Sequence, residues 1–315
     1  MNNNKPLVTV NILSYNRKDE LKNTLSKVYE QDYNNIEVIV VDNASCDESP
    51  EMVKNDFPEV KLIQLNKNIG IGGWNEGFKA AKGEYILVLD DDSYPNITTI
   101  SKGIEFFDTH KDYSILTFNV FNLGLRESET SQYKLINPHL FHGCGTLINK
   151  NVLDKISGYD SSYFLYYNEI DFAIRSYNLN FKIRYSPELF VFHRVPHDKN
   201  NKEIQSYHTH KIKYEQYFSG HIRFLIKHFD IKYVIVYGLK WILNRFIVSI
   251  FYGYYFSFLK SFLKIPYIFL KSLKSRHPVK NTVQEYYNFG NSPIIDRDFF
   301  PDFVKPRLFR KRNNL

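Results

Sequence analysis

Short apolar runs recur along the first part of the chain, each followed by a polar stretch. "LVTVNIL" (Leu7 to Leu13), "IEVIVV" (Ile36 to Val41), "KLIQL" (Lys61 to Leu65) and "YILVL" (Tyr85 to Leu89) are β-branched or aliphatic and read as strands. Between them the period lengthens. Leu21, Leu25, Val28 and Tyr29 share one helix face, with Asn16 as candidate N-cap and Asp19 and Glu20 in the first turn. "SCDESPEMVKNDF" predicts a second helix and "IGGWNEGFKAAKG" a third, stopped by Gly83. Strand–helix alternation predicts an α/β fold with a mostly parallel sheet and right-handed crossovers.

Parallel sheets bind ligands outside the carboxyl ends of their strands. The first strand ends in "SYNR" (Ser14 to Arg17), the second in "DNAS" (Asp42 to Ser45) and the fourth in Asp90, Asp91 and Asp92. All of these ends would share one rim. Adjacent carboxylates repel and raise one another's pKa, so a cation is expected among them. Taken alone, the triplet also reads as a solvated turn before Pro95. With no Cys nearby in the sequence and few His, the carboxylates favour Mg2+ or Mn2+ over zinc. Mg2+ commonly shares its shell with substrate phosphates, so a nucleotide diphosphate is the natural third party. "GIGGWNEG" fails the dinucleotide fingerprint, because Asn75 stands where the third Gly belongs and the segment follows the third strand.

Composition narrows the class. A 315-residue chain with 43% hydrophobic and 24% charged residues is globular and long enough for one large domain or two. The formal charge of +7 calls for a polyanionic partner: nucleic acid, anionic lipid or a phosphorylated substrate. No nucleic-acid recognition motif accompanies it. The two cysteines, Cys46 and Cys144, give no disulfide framework and suit a reducing compartment. The N-terminal apolar run is short and interrupted, unlike a signal peptide, so a cytoplasmic location is expected.

Taken together, "VTVNILSYNR", "EVIVVDNASCDES", "NKNIGIGGWNEGFKAAKGEYILVLDDD", "GCGTLINKNVLDKISGYDSSYFLYYNEIDFAIR" and "FVFHRVPH" resemble the inverting family 2 glycosyltransferases, in family order over roughly residues 5–200. The resemblance implies a GT-A fold with a nucleotide-sugar-binding half, 1–100, and an acceptor-binding and catalytic half, 101–203. It implies that Asp42 binds the nucleotide base and that Asn16 and Arg17 lie on the same rim. Asp90, Asp91 and Asp92 match the D-x-D motif, with Asp92 as direct metal ligand and Mn2+ or Mg2+ as the ion. Asn68, Gly70, Gly73 and Asn75 match the segment beside the sugar nucleotide. His193 matches a His that approaches the metal or the diphosphate, and His197 follows it.

The second acidic motif, "YYNEIDFAIR", departs from the family. Asn168 stands where the family has Glu and Glu169 where it has Asp, while Asp171 and Arg175 fit. The resemblance gives Glu169 the role of base toward the acceptor hydroxyl, with Asp171 in reserve. The plainer reading of this stretch is a helix start braced by an Asp171–Arg175 pair. Gly143 and Gly145 suit a strand passing close to a donor sugar, with Cys144 a packed small side chain between them.

From about Ile204 the chain turns aromatic, aliphatic and basic. Its longest uncharged run, Phe246 to Leu259, falls short of the ~20 residues of a spanning helix. Lys260, Lys264, Lys271 and Lys274 fall in one narrow helical stripe, and Pro266 should kink or split that helix. This is the pattern of an interfacial helical region, 204–280, on an anionic membrane. A helical cap with a basic outer face is the alternative. Residues 281–315 read as an irregular basic tail.

The resulting expectation is an inverting, metal-dependent glycosyltransferase. It would move a sugar from a nucleotide diphosphate to a hydroxyl of a growing glycan, expected to be lipid-linked, at the inner face of the cytoplasmic membrane. A nucleotidyltransferase-type metal enzyme and a non-catalytic, membrane-bound assembly factor of the same fold stay open at this point. The sugar, the base and the oligomeric state are not legible.

Overall fold

The computed structural model describes residues 5–131, 138–194 and 211–288. His197 and the tail beyond 288 lie outside the described residues. The described chain forms two compact units: residues up to Phe164 with those from Asn168 to 194, and Leu165–Tyr167 with those from 211 onward.

The first unit is built on one nine-stranded sheet. Its N-terminal half runs β1 (Val8–Ser14), α1 (Lys18–Tyr29), β2 (Ile36–Asp42), α2 (Ser49–Asp56), β3 (Lys61–Gln64), a 3-10 turn at Gly70–Gly73, α3 (Trp74–Ala80) and β4 (Tyr85–Asp90). β5 (Ser93–Pro95), α4 (Thr99–Thr109), β6 (Ile115–Asn122), β7 (Glu127–Ser128), a 3-10 turn at Gly143–Gly145, β8 (Thr146–Asn149), α5 (Lys150–Ile156), α6 (Asn168–Asn178) and β9 (Ile183–His193) follow. The order across the sheet is β3-β2-β1-β4-β8-β6-β9-β5, with β7 on β6. β1, β2, β3 and β4 are mutually parallel, β6 is parallel to β9, and β8 is antiparallel to β4 and β6.

β1 has no polar face: Thr9 and Asn11 are as buried as Val8, Val10 and Ile12, because helices cover both sides of its sheet. The predicted α1 face buries Leu21, Leu25 and Val28 in that core, at roughly 1.5–3 kcal/mol for each side chain. Two local expectations differ. Arg17, not Asn16, is the residue before α1, and Asn16 takes φ 54° while its Oδ1 accepts from Cys46 N–H at 2.8 Å. α3 ends at Ala80, ahead of Gly83, whose missing side chain instead lets Thr9 approach.

β1 pairs with β2 on one side and β4 on the other. The strand order reverses there, so a crevice opens at the carboxyl ends of β1 and β4.

The second unit holds α7 (Lys211–His228), α8 (Ile231–Phe251), α9 (Tyr255–Leu263), α10 (Ile265–Leu273) and α11 (Asn281–Asn288). Tyr214, Phe218, Ile222, Trp241, Val248, Phe258 and Ile268 form its core. Pro266 opens α10 and separates it from α9, as its missing N–H requires. α8 is long and apolar enough to cross a membrane by length and composition. Counting uncharged residues hid this, because Lys232, Lys240 and Arg245 interrupt the run; of these Arg245 is buried and stacks on Trp241 at 4.4 Å. Ile231, Ile235, Leu239, Leu243 and Ile250 leave an exposed apolar stripe along α8.

Candidate active site

The ends of β1, β2 and β4 meet on one rim. Ser14 O accepts from Asn43 N–H at 2.8 Å, and Asn16 N–H donates to Ser45 Oγ at 2.9 Å. The N–H of Tyr15 donates to Asp91 Oδ2 at 3.1 Å. Arg17 bridges the acidic end, lying 3.4 Å from Asp91 Oδ1 and pairing with Asp92 Oδ2. Asp42 accepts from Ser45 N–H through Oδ2, whereas its buried Oδ1 has no hydrogen-bond partner among the described residues. An orphaned acceptor at this depth is costly unless a ligand donor reaches it.

The Gly70–Gly73 segment is tied to the rim through Asn43 at the end of β2. Asn43 holds it through Ile69 N–H and Gly70 O, and Asn68 Oδ1 accepts from Gly70 N–H at 2.8 Å. Gly70 sits at φ 61°, where a Cβ would lie 2.0 Å from Phe164 O. Gly73 packs on Leu13, and Asn75 ties down the 158–161 turn through Tyr159 and Ser161. Gly73 and Asn75 therefore shape the segment through contacts within the protein.

The acidic end has split electrostatics. Burial and the neighbouring Asp92 carboxylate push Asp90 up to about 6. Burial lifts Asp91 to about 7 against the pull of Arg17. Asp92 is buried too, yet His193 and Arg17 outweigh that and hold it below the usual carboxylate range. His193 Nε2 lies 3.2 Å from Asp92 Oδ1. Burial opposes the imidazolium, but hydrogen bonds to Asp92 and Glu129 carry His193 to about 10.

Glu129 is a residue that sequence reasoning missed. It lies 3.0 Å from His193 Nδ1 through Oε1 and 3.0 Å from His142 Nε2 through Oε2, and Asn122 Nδ2 donates to it at 2.7 Å. In the sequence it sits in "RESET", which reads as a solvated charged turn with no periodicity.

The premise that no cysteine stands near the carboxylates holds along the chain but not in space. Asp90, Cys144 and His193 offer ligand atoms that all lie within 4.8 Å of one another. The Asp90 carboxylate has no hydrogen bond or ion pair among the described residues, so this oxygen is available to a cation. Carboxylates with an imidazole fit a divalent ion.

Glu169 and Asp171 lie in the first turn of α6 and part company there. Asp171 is fully buried and accepts from Arg175 Nε at 2.8 Å, while Arg175 also donates to Ile156 O and Gly158 O. That is a brace. Glu169 is partly open and lies against Gly143, where a Cβ would stand 2.9 Å from its Oε1. Burial raises Glu169 above the ordinary carboxylate value, against the Gly143 N–H and His142. The space the glycine leaves is thus taken by the candidate base.

Sheet order, switch-point crevice and an acidic strand end together define the GT-A fold. Residues 9–172, just over half of the 315-residue chain, match the glycosyl transferase family 2 model. The chain belongs to that family. It is 36% identical over 108 residues to the Escherichia coli UDP-Glc:alpha-D-GlcNAc-diphosphoundecaprenol beta-1,3-glucosyltransferase WfaP, a stretch of 33% of this chain and 43% of that protein. It is 28% identical over 155 residues to the Staphylococcus aureus poly(ribitol-phosphate) beta-N-acetylglucosaminyltransferase TarS, covering 47% of this chain and 26% of that one. The chain thus spans less than half the length of these two relatives. A TarS 1-349 structure in complex with UDP-GlcNAc superposes with TM-score 0.56 at 19% identity, covering 89% of this chain and 91% of that one. The Pyrobaculum calidifontis mannosyltransferase PcManGT in complex with GDP-Man and Mn2+ gives 0.55 at 15% identity, covering 98% of this chain and 89% of that one.

Proposed function

We propose that this protein is an inverting glycosyltransferase that transfers a sugar from a nucleoside diphosphate to a hydroxyl of a surface-glycan acceptor. The single observation that carries this reading is the rim itself. An orphaned Asp42 oxygen, an Asp90 carboxylate grouped with Cys144 and His193, and a separate, partly exposed Glu169 carboxylate belong to one unit. Asp42 would accept from the base, and Arg17 would pair with the diphosphate once released from Asp92. Asp90, Asp92 and His193 would hold Mn2+ or Mg2+. The bound ion would supply charge stabilisation of the leaving diphosphate. Glu169 takes the proton of the acceptor hydroxyl as that oxygen attacks the anomeric carbon, and the nucleoside diphosphate departs from the opposite face.

A lipid-linked acceptor fits the exposed surface of the second unit, by which the protein would sit peripherally on the inner face of an anionic membrane. The relative named as acting on a diphosphoundecaprenol substrate supports this acceptor class. The test is a screen of nucleotide sugars with Mn2+, read by release of nucleoside diphosphate with and without acceptor. Release of pyrophosphate would instead indicate nucleotidyl transfer, and no turnover with any donor would favour an assembly factor.

A further inference from the structure

The donor set at the acidic end is softer than its carboxylates alone convey. Cys144 is fully buried, yet its Sγ shares a cluster within 4.8 Å with an Asp90 oxygen and a His193 nitrogen. Both ring nitrogens are engaged, Nδ1 with Glu129 at 3.0 Å and Nε2 with Asp92 at 3.2 Å, so Nε2 has to leave Asp92 to reach an ion. A tetrahedral ion with bonds of about 2.0–2.3 Å sets its ligands roughly 3.4–3.7 Å apart, so shifts of about 1 Å close the cluster. Mg2+ demands an oxygen octahedron, whereas a mixed N/O/S set selects borderline and soft ions.

We propose that Asp90, Cys144 and His193 form a three-ligand site for a thiophilic divalent cation of the Zn2+ or Co2+ class. Coordination replaces two protons with the metal: the one on His193 Nε2 goes to solvent as that nitrogen leaves Asp92, and the one on Cys144 Sγ stays in the protein. His142 Nδ1, 3.2 Å from Cys144 Sγ, receives that proton, and Glu129 Oε2, 3.0 Å from His142 Nε2, holds the resulting imidazolium. Because Asp90 and His193 also belong to the rim assigned to the donor's metal, an ion seated on the sulfur draws both away from Asp92. It therefore inhibits sugar transfer. The binding rests on the cluster alone; only the inhibition rests on the proposed reaction.

Co2+ titrated into the metal-free full-length protein, without donor, tests the binding. A thiolate-to-cobalt charge-transfer band should saturate at one equivalent, bleach on addition of Zn2+, persist in C46S and vanish in C144S. If C144S does not fold, D90N keeps the thiol and should weaken Co2+ on the order of tenfold or more. Absence of the band in the wild type, its loss in C46S, or full-strength binding in D90N overturns the site. In transfer assays Zn2+ should inhibit the wild type and spare a folded C144S. An inactive protein that still shows the band would sink the reaction and leave the metal site standing.

Discussion

The guanidinium of Arg17 is paired with Asp92 Oδ2, while His193 occupies the other oxygen of the same carboxylate. The carboxylate best matched to the metal-binding position of the family is thus held by two cations of the protein itself. An incoming ion has to displace one of them, and Arg17, with 41% of its side chain exposed, is the freer. Arg17→Ala should therefore tighten Mn2+ binding to the free protein. The same change should weaken nucleoside diphosphate roughly 10–100-fold, the worth of a charge-assisted hydrogen bond. Separate calorimetric titrations with Mn2+ and with UDP or GDP give the two signs. A parallel loss of both would mean that Arg17 only props the rim.

Asp90 is the opposite case, a carboxylate with no partner. Its folded pKa of about 6 exceeds the unfolded value, so the unfolded chain releases this proton first as pH rises. Stability is then lost between about pH 4 and 6 and not regained above it, at a cost of about 1–3 kcal/mol shared with Asp92. Asp90→Asn should raise the melting temperature at pH 8 by several degrees, with the gap closing at pH 4. It should also weaken divalent-ion binding. A variant that melts lower than wild type at every pH would show that Asp90 is a structural group.

Much of this fold is visible in the chain because β1 to β4 and their helices are local patterns of period 2 or 3.6. The rim followed from the rule that parallel strands share a carboxyl end. What stayed hidden depends on pairings distant in sequence. Glu129 reaches His193 across 64 residues and Cys144 reaches Asp90 across the β4–β8 pairing, and neither leaves a periodic trace. The Asp171–Arg175 brace was legible as an i, i+4 pair, but spacing could not report that Asp171 is wholly buried while Glu169 stays partly exposed. The α8 stripe was masked by Lys240 and by Arg245, the latter a charge that the fold hides on Trp241.

Glu129 fixes both imidazoles from behind, in the manner of carboxylates that orient metal-binding histidines. Glu129→Gln should reduce Mn2+ affinity about 10–100-fold, with a melting temperature close to wild type. Manganese EPR in the presence of nucleoside diphosphate measures this directly. Unchanged affinity with a lowered melting temperature would make Glu129 a strand-end support.

Lys260, Lys264, Lys271 and Lys274 are exposed beside Phe256, Leu263, Tyr267 and Leu270, a pairing of cationic and apolar surface that fits anionic lipid. Lys260 also pairs with Glu215 at 2.8 Å, so Lys264 and Lys271 are the cleaner probes. At about 1 kcal/mol per lysine, Lys264→Glu with Lys271→Glu should weaken binding to phosphatidylserine vesicles by about 30-fold or more. Sedimentation at two salt concentrations reads the effect. Equal binding of variant and wild type would leave α9 and α10 as a cap.

The last prediction separates the two carboxylates of α6. Asp171 is wholly buried and engaged by Arg175, which in turn clamps Ile156 O and Gly158 O. Asp171→Asn keeps one acceptor but loses the charge, so it should cost about 1–3 kcal/mol of stability. What remains folded should turn over near normally. Glu169 has the reverse profile: it is open on one side, rests on Gly143, and is raised above the ordinary carboxylate value chiefly by burial. A base of this kind loses its proton at a higher pH than a solvated glutamate, so kcat should climb with pH through that raised value. Glu169→Gln should lower kcat by about 10²–10⁴-fold, abolish that rise, and leave donor affinity and melting temperature unchanged. An active Glu169→Gln beside a folded, inactive Asp171→Asn would move the base about half a turn along the helix, to the carboxylate braced by Arg175.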